Sequence, residues 1–292
     1  MSCSNCSKNS SGLPKGCRSN GSCSTGGCSQ KTTYDWLSNL DQHKRGNDVS
    51  EVSFKNGRKG FYLNDNKLSV YVGDTVVVEA ALGKDVGVVS LTGQLVKHQM
   101  TRKKVKATSR ELKKIVAKAQ DQDIEIWKAA RARENKTLLR ARELIIRLDL
   151  KMKLSDVEFQ GDGTKAFFYY TAETRVDFRE LIKLMADEFK VRIEMKQIGS
   201  RQESARLGGI GSCGRELCCS SWMSDFRSVT TGAARYQQLS LNPQKLAGQC
   251  GKLKCCLNFE LDQYLEQVKN FPSSKKVLEF KNARGKHFKT DV

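Results

Sequence analysis

Short runs of alternating apolar and polar residues between residues 50 and 92 predict a series of β-strands. The stretch VSFKNGRKGFYL contains Asn56-Gly57, a dipeptide typical of a tight turn between two strands. The stretch LSVYV alternates, and GDTVVVEAALGKDVGVVSL predicts two further strands on either side of Gly83. We therefore expect a small, strongly twisted antiparallel barrel over residues 50–95.

After Thr108 the apolar spacing changes to that of a helix. Thr108 or Ser109 can cap this helix, and its apolar face comprises Leu112, Ile115 and Ala119. A longer helix is predicted from Asp121 to Arg147, and residues 96–150 together form a basic helical segment. The loosely apolar residues of the longer helix are Ile126, Ala130, Leu138, Leu139, Ile145 and Ile146.

The pattern from residue 151 to 198 predicts a β-hairpin, a helix and a last strand. The strands are expected at 151–159, 166–170 and 191–198, and the helix at 176–189. The predicted class is α+β, with a small N-terminal barrel-like region, the basic helical segment, and a mixed α/β domain with a Cys-rich C-terminal part. The expected organisation is a disordered Cys-rich arm (1–30), the barrel (50–95), the helical segment (96–150), the α+β domain (151–270) and a basic tail (271–292).

Composition favours a cytosolic protein. The 292 residues contain no apolar run of about twenty residues that would span a membrane, and the first residues lack the apolar core of a signal peptide. Thiols stay reduced in the cytosol, so eleven cysteines in clusters are more typical of metal or redox chemistry than of disulfides.

Positive charge is concentrated between Lys97 and Lys153, where eighteen Lys or Arg accompany seven Asp or Glu. Such a stripe is typical of a surface that binds RNA or DNA, although it is also compatible with a solvated helix face. The aromatic run from Phe167 to Tyr170 could stack on bases or pack in the core. The candidate nucleic-acid-binding residues are Lys103, Lys104, Lys106, Lys113, Lys114, Arg131, Arg133 and Arg140.

The N-terminal arm has almost no large apolar residues and cannot form a core of its own. Its cysteines could bind an additional metal, since Cys3 and Cys6 have a metal-ligand spacing. A disordered tail with oxidisable thiols is the alternative. The candidate ligands in the arm are Cys3, Cys6, Cys17, Cys23 and Cys28.

A doubled motif carries the clearest chemical signal. The chain reads GSCGRELCC near residue 211 and GQCGKLKCC near residue 248, and each copy has the spacing Cys-x4-Cys-Cys. Because neighbouring side chains diverge, we expect one member of each adjacent pair to act as a ligand, so that four thiolates form one site or six serve two sites. The preferred ligands are Cys213, Cys218, Cys250 and Cys255, followed by Cys219 and Cys256.

Zinc and an iron–sulfur cluster both accept four thiolates. Redox-active thiols and buried apolar cysteines are the other interpretations of the motif. No Gly-x-Ser-x-Gly, phosphate loop or His-Glu-x-x-His occurs in the sequence, so we expect no enzymatic activity. A thiol oxidoreductase built on Cys218 and Cys219 would be the exception.

The stretches IGSRQESARLGGIGSCGRELCCSSW and LSLNPQKLAGQCGKLKCCLNFE resemble the C-terminal domain of the polymerase-suppressor family, in its bacterial YaaT/RicT-like branch. TAETRVDFRELIKLMADEF and KVRIEMKQIG fit the same family, so the resemblance covers roughly residues 50–270. The resemblance implies a cytoplasmic, non-enzymatic regulator with a [4Fe-4S] cluster on its cysteines. It also implies small helical protein partners, an RNase complex, RNase Y-dependent RNA processing, and links to sporulation, competence and biofilm development.

Overall fold

A computed structural model describes residues 31, 33, 48–105, 112–272 and 276–288. The chain divides into two compact units, residues 1–199 and 200–292. The predictions for the Cys-rich arm at 1–30, for Lys106, and for a helix start at Thr108 or Ser109 lie outside the described residues.

The predicted barrel is present in the first unit, and it is closed. Its strands are β1 (Val49–Ser53), β2 (Lys59–Leu63), β3 (Thr75–Glu79), β4 (Lys84–Leu91) and β5 (Lys113–Lys118), in the order β1-β2-β5-β3-β4. A short 3-10 turn (Lys55–Gly57) joins β1 to β2, and Asn56 and Gly57 adopt φ values of 54° and 71° there. Those left-handed values explain the Asn-Gly signal. Helix α1 (Gln94–Arg102) packs Leu95, Val96 and Met100 against Val49 and Leu91 of the barrel.

Two elements predicted near the barrel are wrong. The LSVYV stretch (68–72) forms no strand. Residues 113–118 form strand β5 and not a helix, because β5 pairs with β2 on one side and with β3 on the other and thereby closes the barrel. Ile115 is fully buried in the barrel core, together with Val52, Val76, Val78 and Val89. Its β-branched side chain suits that strand as well as it suited the predicted helix face.

The hairpin, helix and strand predicted downstream are confirmed. Helix α2 (Asp121–Arg147) leads into β6 (Lys153–Phe159) and β7 (Lys165–Thr171), which are antiparallel. Helix α3 (Arg179–Phe189) then returns the chain to β8 (Arg192–Gln197), which lies parallel to β7. Leu144 of α2, Leu181 and Met185 of α3, and Leu154 and Phe168 of the sheet share one core.

Three of the four aromatic residues from Phe167 to Tyr170 on β7 are buried. Phe168 and Tyr170 belong to the core, while the buried Tyr169 donates its hydroxyl to the Glu158 carboxylate at 2.9 Å. Only Phe167 of the four is partly exposed, and the ammonium group of Lys196 lies 4.0 Å from its ring centre. Three of the four rings are therefore unavailable for base stacking.

Ion pairs connect the barrel to the three-stranded sheet. Arg58, just before β2, contacts the Asp85 carboxylate of β4 at 2.8 Å and the Glu158 carboxylate of β6 at 2.9 Å. Lys55 contacts Asp156 at 2.8 Å and Glu134 of α2 at 2.7 Å. One face of the sheet therefore packs against the helices and the other contacts the barrel at β6, while Glu194 and Lys196 of β8 remain partly exposed on that second face.

The second unit is mainly helical. Its elements are α4 (Ser200–Leu207), α5 (Cys218–Ser221), α6 (Thr231–Tyr236), α7 (Pro243–Leu246), α8 (Cys256–Val268) and the hairpin β9 (Val277–Phe280) and β10 (Ala283–Lys286). Its small core contains Ala233, Ala234, Leu246 and Leu257. The described part of the predicted basic tail therefore includes a β-hairpin.

Candidate metal centre

The two Cys motifs form loops with the same backbone hydrogen bonds. We define the first loop as residues 209–217 and the second as residues 246–254, so that equivalent positions differ by 37. In the first loop Gly211 N donates to Arg215 O (2.7 Å), Gly214 N to Gly211 O (3.0 Å), and Leu217 N to Gly209 O (3.0 Å). The second loop repeats all three bonds, at 2.8, 3.0 and 2.9 Å, with the donors Gly248, Gly251 and Lys254. The repeated spacing in the sequence thus corresponds to a repeated fold.

Glycine is required at equivalent places in both loops. Gly214 and Gly251, each directly after the first Cys of its motif, have φ values of 76° and 73°. At Gly211 a Cβ atom would lie 3.4 Å from the Cys213 Sγ, and at Gly248 it would lie 3.7 Å from the Cys250 Sγ. Each first thiol is therefore folded back over the Gly that precedes it by two residues, in the same way in both loops.

The repeat continues beyond the cysteines. Each Cys pair leads into a helix, Cys218 into α5 and Cys256 into α8, and the third residue after each pair is aromatic. Those aromatic residues, Trp222 and Phe259, pack edge to face with ring centres 4.7 Å apart. Equivalent residues thus meet each other, which indicates an approximate internal two-fold relationship.

All six motif cysteines line one cavity of about 470 Å³. Two side chains hold the walls of this cavity in place. Gln249 of the second loop donates its amide Nε2 to Ile210 O of the first at 2.7 Å. Arg201 of α4 donates Nη2 to Leu253 O at 3.1 Å. The cavity residues are Arg201, Ser204, Gly211, Ser212, Cys213, Glu216, Leu217, Cys218, Cys219, Gln244, Ala247, Gly248, Gln249, Cys250, Leu253, Lys254, Cys255 and Cys256.

The six cysteines are free thiols in different environments. Cys213 is exposed, Cys219 is buried, and the other four are partly buried. Burial raises the pKa of the Cys255 thiol, and the neighbouring Cys218 and Cys219 raise it further, while Arg201 opposes them. Burial also raises the pKa of Cys256, with contributions from Cys218 and Cys255. A metal ion at these thiols would therefore have to displace their protons.

The donor set suits a thiophilic metal, because six thiols converge on one cavity from two equivalent loops. Within the described residues, however, no three His, Cys, Asp or Glu side chains already lie close enough together to hold an ion. Binding would therefore have to bring the thiol groups closer together than they lie in this structure. The arm candidates Cys3, Cys6, Cys17, Cys23 and Cys28 lie outside the described residues.

Two protein-family descriptions and one well-covered relative match the sequence. Residues 113–198 match the PSP1 C-terminal conserved region, and residues 228–271 match the third domain of PSP1-like proteins. The stage 0 sporulation protein YaaT of Bacillus subtilis is 38% identical over 239 residues, which make up 82% of this chain and 84% of the relative.

This chain belongs to the PSP1 family. It is also 30% identical over 192 residues to an uncharacterized protein of Schizosaccharomyces pombe, with 56% of this chain and 25% of that relative covered. No solved structure matches the chain. The comparisons support a regulatory protein of the YaaT type.

The candidate nucleic-acid-binding residues of this PSP1-family chain are divided between two substructures. Lys113 and Lys114 lie on the barrel strand β5, and Lys103 and Lys104 directly follow α1, whereas the three arginines lie on α2. Most of the seven described residues have intramolecular contacts. The contacts are Lys103 with Glu51 (3.8 Å), Lys114 with Asp65 (2.7 Å), Arg140 with Glu143 (2.7 Å), Arg131 over the Trp127 ring and Arg133 over the Phe159 ring.

The cavity also contains residues that the sequence analysis missed. Gln249 and Glu216 lie within or beside the motifs, and the aromatic pair lies just beyond them. A signal for the pair was present, because aligning the two motifs at a separation of 37 residues places Trp222 opposite Phe259.

No helix in the described parts of this PSP1-family chain combines the length and the apolar character needed to cross a membrane.

Proposed function

We propose that this chain is a cytoplasmic, non-enzymatic regulatory adaptor that holds an iron–sulfur cluster, with zinc as the alternative, on its two Cys loops. One observation carries the proposal: six thiols from two equivalent loops line a single cavity. Doubling a loop with identical backbone hydrogen bonds is a way to supply matched thiolates from opposite sides. Buried apolar cysteines would not require such matching.

The residues that would hold the group are Cys213 and Cys250, together with one or both members of each adjacent pair: Cys218 and Cys219, Cys255 and Cys256. A cluster supplies one-electron redox chemistry and sensitivity to oxygen, whereas zinc supplies only a structural crosslink. The chain's own residues fix the backbone of the loops. Gln249 joins the first loop to the second, and Arg201 holds the second loop to α4.

The two loops also enclose the residues between them, from Ser220 to Gln249. This segment has a modest apolar core, in which Ala233 and Ala234 are fully buried while Tyr236 and Leu239 remain exposed. Thiolate ligation at both ends would order the segment, and loss of the metal would release it. A regulator could use that release to change a surface that a partner contacts.

The regulatory role rests on the relationship to YaaT, whose name describes a stage 0 sporulation protein. We propose that this chain acts through protein partners, which include small helical regulators and an RNase complex, and that it adjusts RNase Y-dependent RNA processing.

Anaerobic purification followed by absorbance and by iron, sulfide and zinc analysis tests the metal. We expect the wild-type protein to contain iron and sulfide and to absorb visible light. The Cys213→Ser and Cys250→Ser variants should lose the iron, the sulfide and the absorbance. Ser212→Ala is the matched control, since it changes the same loop without removing a thiol. Stoichiometric zinc in a colourless protein would show that the site binds zinc and not a cluster. Absence of both iron and zinc would overturn the proposed metal centre.

A further inference from the structure

Helix α8 is acidic in a chain whose formal net charge is +19. It contains Glu260, Asp262 and Glu266 but no Lys or Arg, and all three carboxylates are exposed. Phe259 is 62% exposed, and Asp262 and Glu266 follow it by one and two helical turns on the same side. Trp222, itself half exposed, extends this apolar spot beside the Phe259 ring. The result is an aromatic anchor next to a row of negative charges.

Helix α2 has a face of opposite character. Leu139 and Ile146 are 61% and 78% exposed, and their spacing of seven residues places them on nearly the same side of the helix. The exposed Lys136 and Arg147 lie beside this pair, and Lys128 continues the face toward the N-terminus. Glu143 lies between Leu139 and Ile146, where Arg140 pairs with it at 2.7 Å. Within the described part of the first unit nothing covers these two aliphatic side chains, although the sequence pattern had grouped them with the other apolar residues of the helix.

We propose that α8 of one copy of this chain docks on α2 of a second copy. The argument is complementarity within one sequence: an acidic helix with an exposed aromatic pair, and a basic helix with two exposed aliphatic side chains. Large exposed aromatic residues are frequent anchors of protein interfaces. The surrounding charges would orient the encounter and disfavour a contact of α2 with α2 or of α8 with α8.

Two different surfaces meet in this contact. If a two-fold axis relates two copies, both contacts form at once and the dimer is closed; otherwise a free α2 and a free α8 remain, and further copies add head to tail. Because opposite charges surround both apolar spots, the association should weaken as salt screens them. The apolar pairs should leave a residual association at high salt.

Sedimentation velocity of the reduced full chain over a concentration series tests the proposal. We expect concentration-dependent self-association that weakens between about 50 mM and about 500 mM salt. The α2 variant Leu139→Lys/Ile146→Lys and the α8 variant Asp262→Lys/Glu266→Lys should each weaken it roughly tenfold or more. Leu82→Lys is the matched control, because Leu82 is an exposed aliphatic residue of the barrel. Circular dichroism confirms that each variant is folded.

A mixing experiment identifies the pairing itself. The α2 variant keeps an intact α8, and the α8 variant keeps an intact α2, so an equimolar mixture should form a heterodimer more tightly than either variant associates with itself. A wild-type chain that stays monomeric at all concentrations would overturn the proposal. Equal weakening by Leu82→Lys, or failure of the mixture to associate, would overturn the assignment to α8 and α2.

Discussion

The side-chain amide of Gln249 in the second Cys loop donates a hydrogen bond of 2.7 Å to the backbone carbonyl of Ile210 in the first. This bond joins two loops that are otherwise equivalent, and it has no counterpart in the repeat of backbone hydrogen bonds within each loop. The approach is close, since a Cβ atom on Gly209 would lie 2.9 Å from the Gln249 Oε1.

Replacing Gln249 by Ala should loosen the loops relative to each other. Because the hydrogen bond is solvent-exposed, we expect the free energy of unfolding of the second unit to fall by about 1 kcal/mol or less. Amide exchange of Leu217 and Lys254, the last donors of the two loops, should become faster. Gln263→Ala on the exposed surface of α8 is the control, and equal effects of both variants would remove any special role for the Gln249 bond.

Ligation should order the segment between the loops. In the metal-bound protein, Cys213→Ser or Cys250→Ser should increase hydrogen exchange across residues 213–256, while the barrel strands between residues 49 and 118 keep their protection. The physical reason is that metal–thiolate bonds would supply order that the small core of this unit does not. Unchanged protection at 220–249 would show that the metal is not structural, and loss of protection everywhere would show that it stabilises the whole protein.

The thiols should differ in accessibility when no metal is bound. In reduced, metal-free protein we expect iodoacetamide to modify the exposed Cys213 first and the buried Cys219 last. Peptide mass spectrometry over a time course measures the order. Under denaturing conditions the six rates should converge, which serves as the control, and faster modification of Cys219 than of Cys213 in the folded protein would contradict the arrangement of the loops.

Arg58 should be essential to the first unit. Replacing it by Met removes the guanidinium that contacts the buried Asp85 and Glu158 carboxylates, so we expect a loss of about 3 kcal/mol in the free energy of unfolding at neutral pH. Lys114→Met is the matched control, since the Lys114–Asp65 pair of the same barrel is largely exposed and should contribute little.

The pH dependence of the Arg58 variant has a definite sign. Burial already raises the pKa of Asp85 although Arg58 opposes it, and removal of the guanidinium should raise that pKa further. When the pKa of a carboxyl is higher in the folded than in the unfolded protein, its contribution to the free energy of unfolding is lost as the pH rises through the folded-state pKa. The difference between wild type and variant should therefore be larger at neutral pH than in mild acid. Chemical denaturation at both pH values measures it, and a constant difference would mean that other effects dominate.

Part of this fold could be predicted from local sequence and part could not. The Asn56-Gly57 turn and the alternation around Gly83 identified four of the five barrel strands, because turn chemistry is local. The fifth strand was mistaken for a helix because Leu112, Ile115 and Ala119 fit a helical face, whereas distant pairing with β2 and β3 decides the outcome. The convergence of six cysteines on one cavity followed from the repeated motif, but the bridging role of Gln249 required the fold.

Strand β5 has a consequence for how the family region can be separated from the rest of the chain. The PSP1 C-terminal conserved region begins at residue 113, which is the first residue of the strand that closes the barrel. A fragment cut at that boundary would open the barrel between β2 and β3 and remove Ile115 from its core. It would also leave Glu158 without Arg58. We therefore expect that residues 113–198 do not fold alone and that the described residues between 48 and 199 unfold as one cooperative block.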